Sequence, residues 1–237
     1  MKKYIGTKQI EAEPMTMGEA YERGLLQVGR VPDAEYAKRM GYHVKYADGY
    51  ESWLPAEPFE EAYKLADTSL DRMQIEAEEV NGRYVKLAAF IDSGKMDEVV
   101  NDMYNKCLLE MQCCTMFDYI RLLDTRIQRM QGSDGAKVRK MNFGMAIMAL
   151  KAGYPIRRSG WNGKGLMVFK QVPAHIESDI IPKMQSLPQS AKDLILKGKG
   201  FIDYTSQCLI YNENTGRADS WVPSISDVFA EDWEIVQ

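Results

Sequence analysis

The chain has 237 residues, of which 45% are hydrophobic and 27% charged, and its formal net charge is −4. This is the composition of a globular protein long enough for two or three small domains, without an apolar run of membrane-spanning length. An acidic total argues against broad affinity for DNA or RNA. Met1-Lys2-Lys3-Tyr4-Ile5 is not followed by the apolar core of a signal peptide, so a cytoplasmic protein is expected. Four cysteines (Cys107, Cys113, Cys114 and Cys208) form no CxxC pair, and the only histidines are His43 and His175. A zinc site is therefore not expected, nor is any cofactor, and the thiols read as free in a reducing compartment.

Residues 1–67 read as a small α+β domain. Tyr4 to Ala12 predicts a strand that Pro14 ends, and Thr16 caps a short helix through Arg23. Period-two alternation over 42–46 and 50–53, with Asp48-Gly49 between, predicts a β-hairpin. A short helix follows from Pro58. His43 falls in a strand without a Ser, Cys or Asp partner pattern, and reads as structural.

Residues 68–131 change character. Thr68 and Asp71 resemble a capping box, and Leu70, Met73, Ala77, Val80, Tyr84, Leu87 and Ile91 follow 3-4 spacing along one helix. Asp92-Ser93-Gly94-Lys95 breaks it. A second long helix is predicted over 96–130, which makes a helical hairpin. Its apolar residues cover more than one face, so it is expected to pack on other subunits or domains. Residues 132–140 are a polar linker.

The last domain, 141–237, begins with Asn142 as the cap of a helix that Gly153 closes. An apolar strand over 166–169 follows, then an irregular insertion over about 170–200 with a helix near 190–196. One long strand is predicted over 201–211, paired through a turn with 217–222. A capped helical turn at 223–229 and a terminal strand at 232–236 finish the chain. The fold class is α+β: a small N-terminal α+β domain, a long helical hairpin, and a C-terminal antiparallel sheet domain opened by a helix. Met15-Thr16-Met17-Gly18 resembles Met141-Asn142-Phe143-Gly144, and Ser52-Trp53-Leu54-Pro55 resembles Ser220-Trp221-Val222-Pro223. The first domain is thus a candidate diverged copy of the last, provided their strand orders agree.

One short run concentrates groups that recognise anions and flat rings: Arg157, Arg158, Trp161, Asn162, Gly163, Lys164 and Gly165. It lies in an interval from Gly135 to Ile176 that contains no Asp or Glu. The same residues also fit a strand end with a glycine turn and a core tryptophan. Likewise, Trp221 and Trp233 fit core positions, and Arg158 fits a structural ion pair with Asp232 or Glu234.

The blocks Met141-Asn142-Phe143-Gly144, Arg157-Arg158-x-Gly160-Trp161-Asn162-Gly163-Lys164-Gly165, Trp221-x-x-Ser224-x-x-Asp227 and Ala230-Glu231-Asp232-Trp233-Glu234 resemble the second family of Thoeris anti-defence proteins, over residues 141–237. Residues 68–131 resemble a helical-hairpin family of crAss-like phages. The first resemblance implies a phage sponge, homotetrameric, with pockets between protomers. Its ligand would be a glycocyclic ADP-ribose from TIR proteins or a CBASS cyclic oligonucleotide, met in the host cytoplasm, without membrane or nucleic-acid partners. The candidate ligand-binding residues are Arg157, Arg158, Trp161, Asn162, Gly163, Lys164, Trp221, Ser224 and Asp227, with no catalytic residue and no metal. The insertion departs from the shortest members of that family. Two other functions compete: an enzyme that cleaves such signals, for which Asp203, Asp227 and His175 are scattered candidates, and a phage assembly module built on the hairpin.

Overall fold

The computed structural model describes residues 9–236. The fold is α+β, and the strand pairs within the described residues run antiparallel. The chain divides into two compact units, one ending at Glu76 and the other starting at Ala77.

In the first unit β1 (Ile10–Thr16), β2 (Met40–Tyr46) and β3 (Glu51–Pro55) form a sheet in that order. Pro14 does not end the strand. It sits inside β1 opposite Tyr42, because β1 is an edge strand, where a missing N–H need not leave a neighbour unpaired. The expected strand start at Tyr4 lies outside the described residues. Thr16 caps α1 (Met17–Glu22) in a reciprocal box with Glu19, as expected. Gly49 takes φ +84° in the hairpin turn between β2 and β3. Gly41 leaves room for its neighbours: a Cβ there would collide with the Leu54 carbonyl and the Trp53 ring. Trp53 donates its indole N–H to the Met15 carbonyl at 2.9 Å and packs with Met15, Met17 and Ala20. α2 (Ala56–Ala62) follows β3 directly. His43 lies between Glu13 (3.3 Å) and Glu51 (2.9 Å) on the sheet, a structural strand histidine.

α3 (Ser69–Asp92) crosses the division between the units. Thr68 and Asp71 exchange backbone and side-chain hydrogen bonds at its start. Gly94, at φ +74°, turns the chain into α4 (Lys95–Val99). The single helix expected over 96–130 is interrupted here. Asp102 accepts from the Tyr104 and Asn105 amides, both at 3.2 Å, and so starts a separate helix, α5 (Met103–Met130). Tyr84 of α3 meets Phe117 of α5 with ring centroids 5.6 Å apart, and Leu123 is fully buried.

Asn142 caps α6 (Phe143–Lys151) through its Oδ1, which accepts from the Met145 amide. Its Nδ2 donates to Asp118 of α5 at 2.5 Å. After β4 (Ile156–Arg158) and β5 (Leu166–Lys170), the insertion carries β6 (Ala174–Ile176), α7 (Gln189–Lys197) and β7 (Ile202–Tyr204). β8 (Cys208–Asn212), β9 (Arg217–Ser220), α8 (Ile225–Val228) and β10 (Trp233–Ile235) complete the chain. The main sheet runs β10-β4-β5-β8-β9, and β6 pairs only with β7. The long strand expected over 201–211 is therefore two strands. Ile202 pairs with Ile176 in one sheet and Ile210 with Val168 in another, so the chain must bend between them. α6 covers one face of the main sheet, where Met145, Ala146, Leu150, Ile156, Val168 and Trp233 form the core.

The two units are not copies. In the first, the strand beside the hairpin (β1) precedes the helix α1. In the second, the corresponding strand (β5) follows the helix α6. What the two share is local, a hairpin leading into a helical turn.

Candidate functional site

The three residues of β4 do two different jobs. Ile156 enters the core, while Arg157 and Arg158 reach across to β10. The acid-free interval of the sequence is supplied with carboxylates from the C-terminus. Arg157 Nε donates to Glu234 at 2.6 Å. Arg158 donates Nε to Asp232 at 2.7 Å, and one terminal nitrogen to both Asp227 (3.0 Å) and the Ser226 carbonyl (3.2 Å). Asp232 also accepts from the Gly160 amide at 2.9 Å. A Cβ on Gly160 would stand 2.5 Å from that carboxylate, so the close approach requires glycine.

Asp227 is the most enclosed member of this group. It is the buried polar residue of the described fold. Its two oxygens accept from Arg158, from the Trp161 indole N–H at 3.2 Å, and from the Ser224 amide and hydroxyl at 3.0 and 2.8 Å. Burial pushes its carboxyl pKa up, but these donors outweigh burial and hold it below the ordinary range. Asp232 is also held low, chiefly by its hydrogen bond to Arg158. Arg158 is held fully protonated by the same contacts, first Asp232 and then Asp227.

The loop 159–165 stands on this network. Trp161 packs edge-on against Trp233 at 5.4 Å, and Trp221 does so at 6.1 Å. Trp233 is fully buried, whereas Trp161 and Trp221 are half-buried at its sides. The far end of the loop is pinned by Asn214, which donates to the Lys164 carbonyl at 2.7 Å, and by the Glu213 amide, which donates to the Gly165 carbonyl at 2.9 Å. Gly165 takes φ +78°. Asn162, Gly163 and Lys164 are exposed at the crest, and the Arg157 side chain is 44% exposed.

The candidate residues thus divide. Arg158, Asp227 and Ser224 hold one another, and Ser224 and Asp227 form the capping box of α8. Trp161 and Trp221 flank a core tryptophan. Arg157, Asn162, Gly163 and Lys164 face outward. Asn214 and Glu213 had not been expected at the site, although the Asn212-Glu213-Asn214-Thr215-Gly216 turn is a strong loop signal. Of the scattered acid–base candidates, His175 and Asp203 meet across β6 and β7 at 2.6 Å, with Glu177 at 3.4 Å.

Residues 141–236 match the profile of the Thoeris anti-defense 2-like domain. A relative named Thoeris anti-defense 2, from Bacillus phage SP01, is 34% identical over 102 residues, which cover 41% of this chain and 96% of the relative. The chain belongs to the Thoeris anti-defence 2 family. The arginine pair, the loop and the three tryptophans Trp161, Trp221 and Trp233 all lie in the part that matches this family, as do β4 to β10 and α6 to α8. Residues 67–129 match a second profile, named Sequestin. That match takes in α3, α4 and nearly all of α5.

Proposed function

We propose that this member of the Thoeris anti-defence 2 family is a phage sponge. It binds a cyclic nucleotide immune signal, a glycocyclic ADP-ribose or a CBASS-type cyclic oligonucleotide, and holds it without cleaving it. The observation that carries this reading is the division of labour at the loop. One set of side chains fixes the backbone, and a second set, Asn162 and Lys164, is exposed on it, beside the partly exposed Arg157, whose Nε holds Glu234. Exposed cations meet phosphate oxygens, and the Gly163 amide allows close backbone approach. The half-buried rings of Trp161 and Trp221 suit an adenine, and Asn162 a ribose hydroxyl or base edge. Arg158, Ser224 and Asp227 then serve the ligand indirectly by keeping the loop in place, and such pre-organisation is what tight binding needs.

The state of the carboxylates supports sequestration over cleavage. Asp227 and Asp232 sit beside the loop, but their oxygens are occupied by Arg158, Trp161, Ser224 and Gly160. A general base needs a free lone pair and a pKa near the working pH, and these two are held below the carboxylate range. A homotetramer with the ligand between protomers is part of the proposal. Val222, Ile225 and Phe229 are each about 80% exposed next to the Ser224–Asp227 cap, an apolar patch suited to burial against another protomer.

A thermal-shift screen against glycocyclic ADP-riboses and cyclic di- and trinucleotides tests the proposal. At least one ligand should raise Tm, as any ligand specific to the folded state does. Lys164→Ala should weaken that ligand by roughly tenfold or more, the loss of one charge-assisted hydrogen bond. No shift with any member of the panel would end the proposal.

A further inference from the structure

We infer that Asn214, a residue outside the ligand-facing set, is the positioning residue for Lys164 and sets how tightly that cation holds the anionic part of the ligand; this rests on the sponge reading above. Arg157 and Arg158 are aimed by their carboxylate partners. Lys164 has no carboxylate partner among the described residues, so its reach is set by its backbone. That backbone is held by the β8–β9 turn. The β5–β8 ladder ends with Leu166 opposite Asn212. One step beyond, the Glu213 amide donates to the Gly165 carbonyl at 2.9 Å and prolongs the antiparallel pattern into the loop. At the next step the main chain has begun to turn, and the Asn214 amide donates to Asn212 Oδ1 at 2.9 Å instead of crossing to the loop. The Asn214 side chain takes over, and its Nδ2 donates to the Lys164 carbonyl at 2.7 Å.

Lys164 stands between two glycines, Gly163 and Gly165. Glycine permits more backbone conformations than any other residue, so the Lys164 peptide can swivel wherever nothing holds its carbonyl. The fit of the clamp is close. Gly165 takes φ +78°, and a Cβ there would stand 2.6 Å from Asn214 Nδ2. Asn214 and Lys164 are both exposed. A hydrogen bond at such a place contributes little to folding, since exposed substitutions change stability by only about 0.5 kcal/mol. Its effect falls on binding: a loop already ordered before the ligand arrives loses less freedom when it binds. The other end of the loop is held by Asp232 and Asp227, through Gly160 and Trp161, so Asn214 governs the end that carries Lys164.

The test uses the full chain, Asn214→Ala, Lys164→Ala and the double variant. The first readout needs no ligand. The Lys164 carbonyl is the one trypsin must attack to cut before Gly165, so the rate of that cut, followed by mass spectrometry, should rise several-fold in Asn214→Ala while Tm stays within about 2 °C of the parent. The second readout is calorimetric affinity for whichever glycocyclic ADP-ribose or cyclic oligonucleotide the parent binds. Asn214→Ala should weaken it by about three- to tenfold, the worth of one hydrogen bond. In the Lys164→Ala background the same substitution should change affinity less than twofold, because a residue that acts only through Lys164 has nothing left to position. An unchanged tryptic rate, an unchanged affinity, or an equal loss of affinity with and without Lys164 would each overturn the inference and leave the sponge proposal standing. A parent that binds no member of the ligand panel is a different result, which ends the sponge proposal and this inference together.

Discussion

Asp227 takes hydrogen bonds from Arg158, Trp161 and Ser224 while nearly excluded from water. Removing Asp227 leaves Arg158 paired with Asp232 but takes the acceptor away from the Trp161 and Ser224 donors, at a cost of about 1–3 kcal/mol. Asp227→Ala should therefore lower Tm by roughly 4 °C or more in a domain of about 100 residues, as calorimetry would show. A loss under 2 °C, at the scale of an ordinary surface substitution, would remove Asp227 from its structural role. The sign of the pH effect follows from the depressed pKa values of Asp227 and Asp232. Their stabilisation is complete above the ordinary carboxylate range and is lost as pH falls through the lower folded-state values. Trp161 carries two tasks that a single truncation would confuse, since it packs on Trp233 and donates to Asp227. Trp161→Phe keeps an aromatic face and removes the donor. It should cost about 1 kcal/mol of stability and retain most of the ligand affinity; affinity lost entirely would mean that the indole N–H, or the full ring, is needed by the ligand itself.

Among the elements, the β6–β7 ribbon at the base of the insertion should depend on pH in the sense opposite to the carboxylates. His175 sits opposite Asp203, whose hydrogen bond raises the imidazole pKa. A raised pKa stabilises the ribbon fully below the ordinary histidine range, and that contribution is lost as pH rises through the folded value. Hydrogen exchange of the 174–176 and 202–204 amides, corrected for intrinsic rate, should show protection falling as pH rises above neutrality, and His175→Gln should flatten the trend. A pH-independent ribbon in the parent would contradict this. The ribbon also marks what the sequence hid. Strands of three residues leave no periodic pattern to read, so 201–211 looks like one strand until its two halves are seen to pair in different sheets. The caps were legible, because Thr16, Thr68, Asn142 and Ser224 act over three residues of chain. Asp102 is also a local signal, but it stands between two apolar helical runs and was masked by them. The loop's chemistry was legible from its residue types. Its anchoring was legible in part: of the two partners expected for Arg158, Asp232 is the one it takes, whereas Glu234 pairs with Arg157 and Asp227 also reaches Arg158, 77 and 69 residues away. Strand pairing between β4 and β10 brings these residues together, and no local spacing reports it.

For the whole molecule, the family match accounts for residues 141–236, and a second profile covers 67–129. We propose a division into 1–67, the hairpin 68–131, a linker 132–140 and the ligand-binding domain 141–237. Brief trypsin treatment should cut first at Lys137, Arg139 or Lys140, giving two fragments of unequal size. Protection there, with earlier cuts inside α5 or the main sheet, would contradict the division. The central claim is that the C-terminal domain holds its signal intact, and recovery tests it most directly. The protein is incubated with a glycocyclic ADP-ribose or cyclic oligonucleotide that it binds, free ligand is removed, the complex is heat-denatured, and the released nucleotide is analysed by chromatography and mass spectrometry. Sequestration predicts that the starting nucleotide returns unchanged in near-stoichiometric yield; a cleaved product would contradict it.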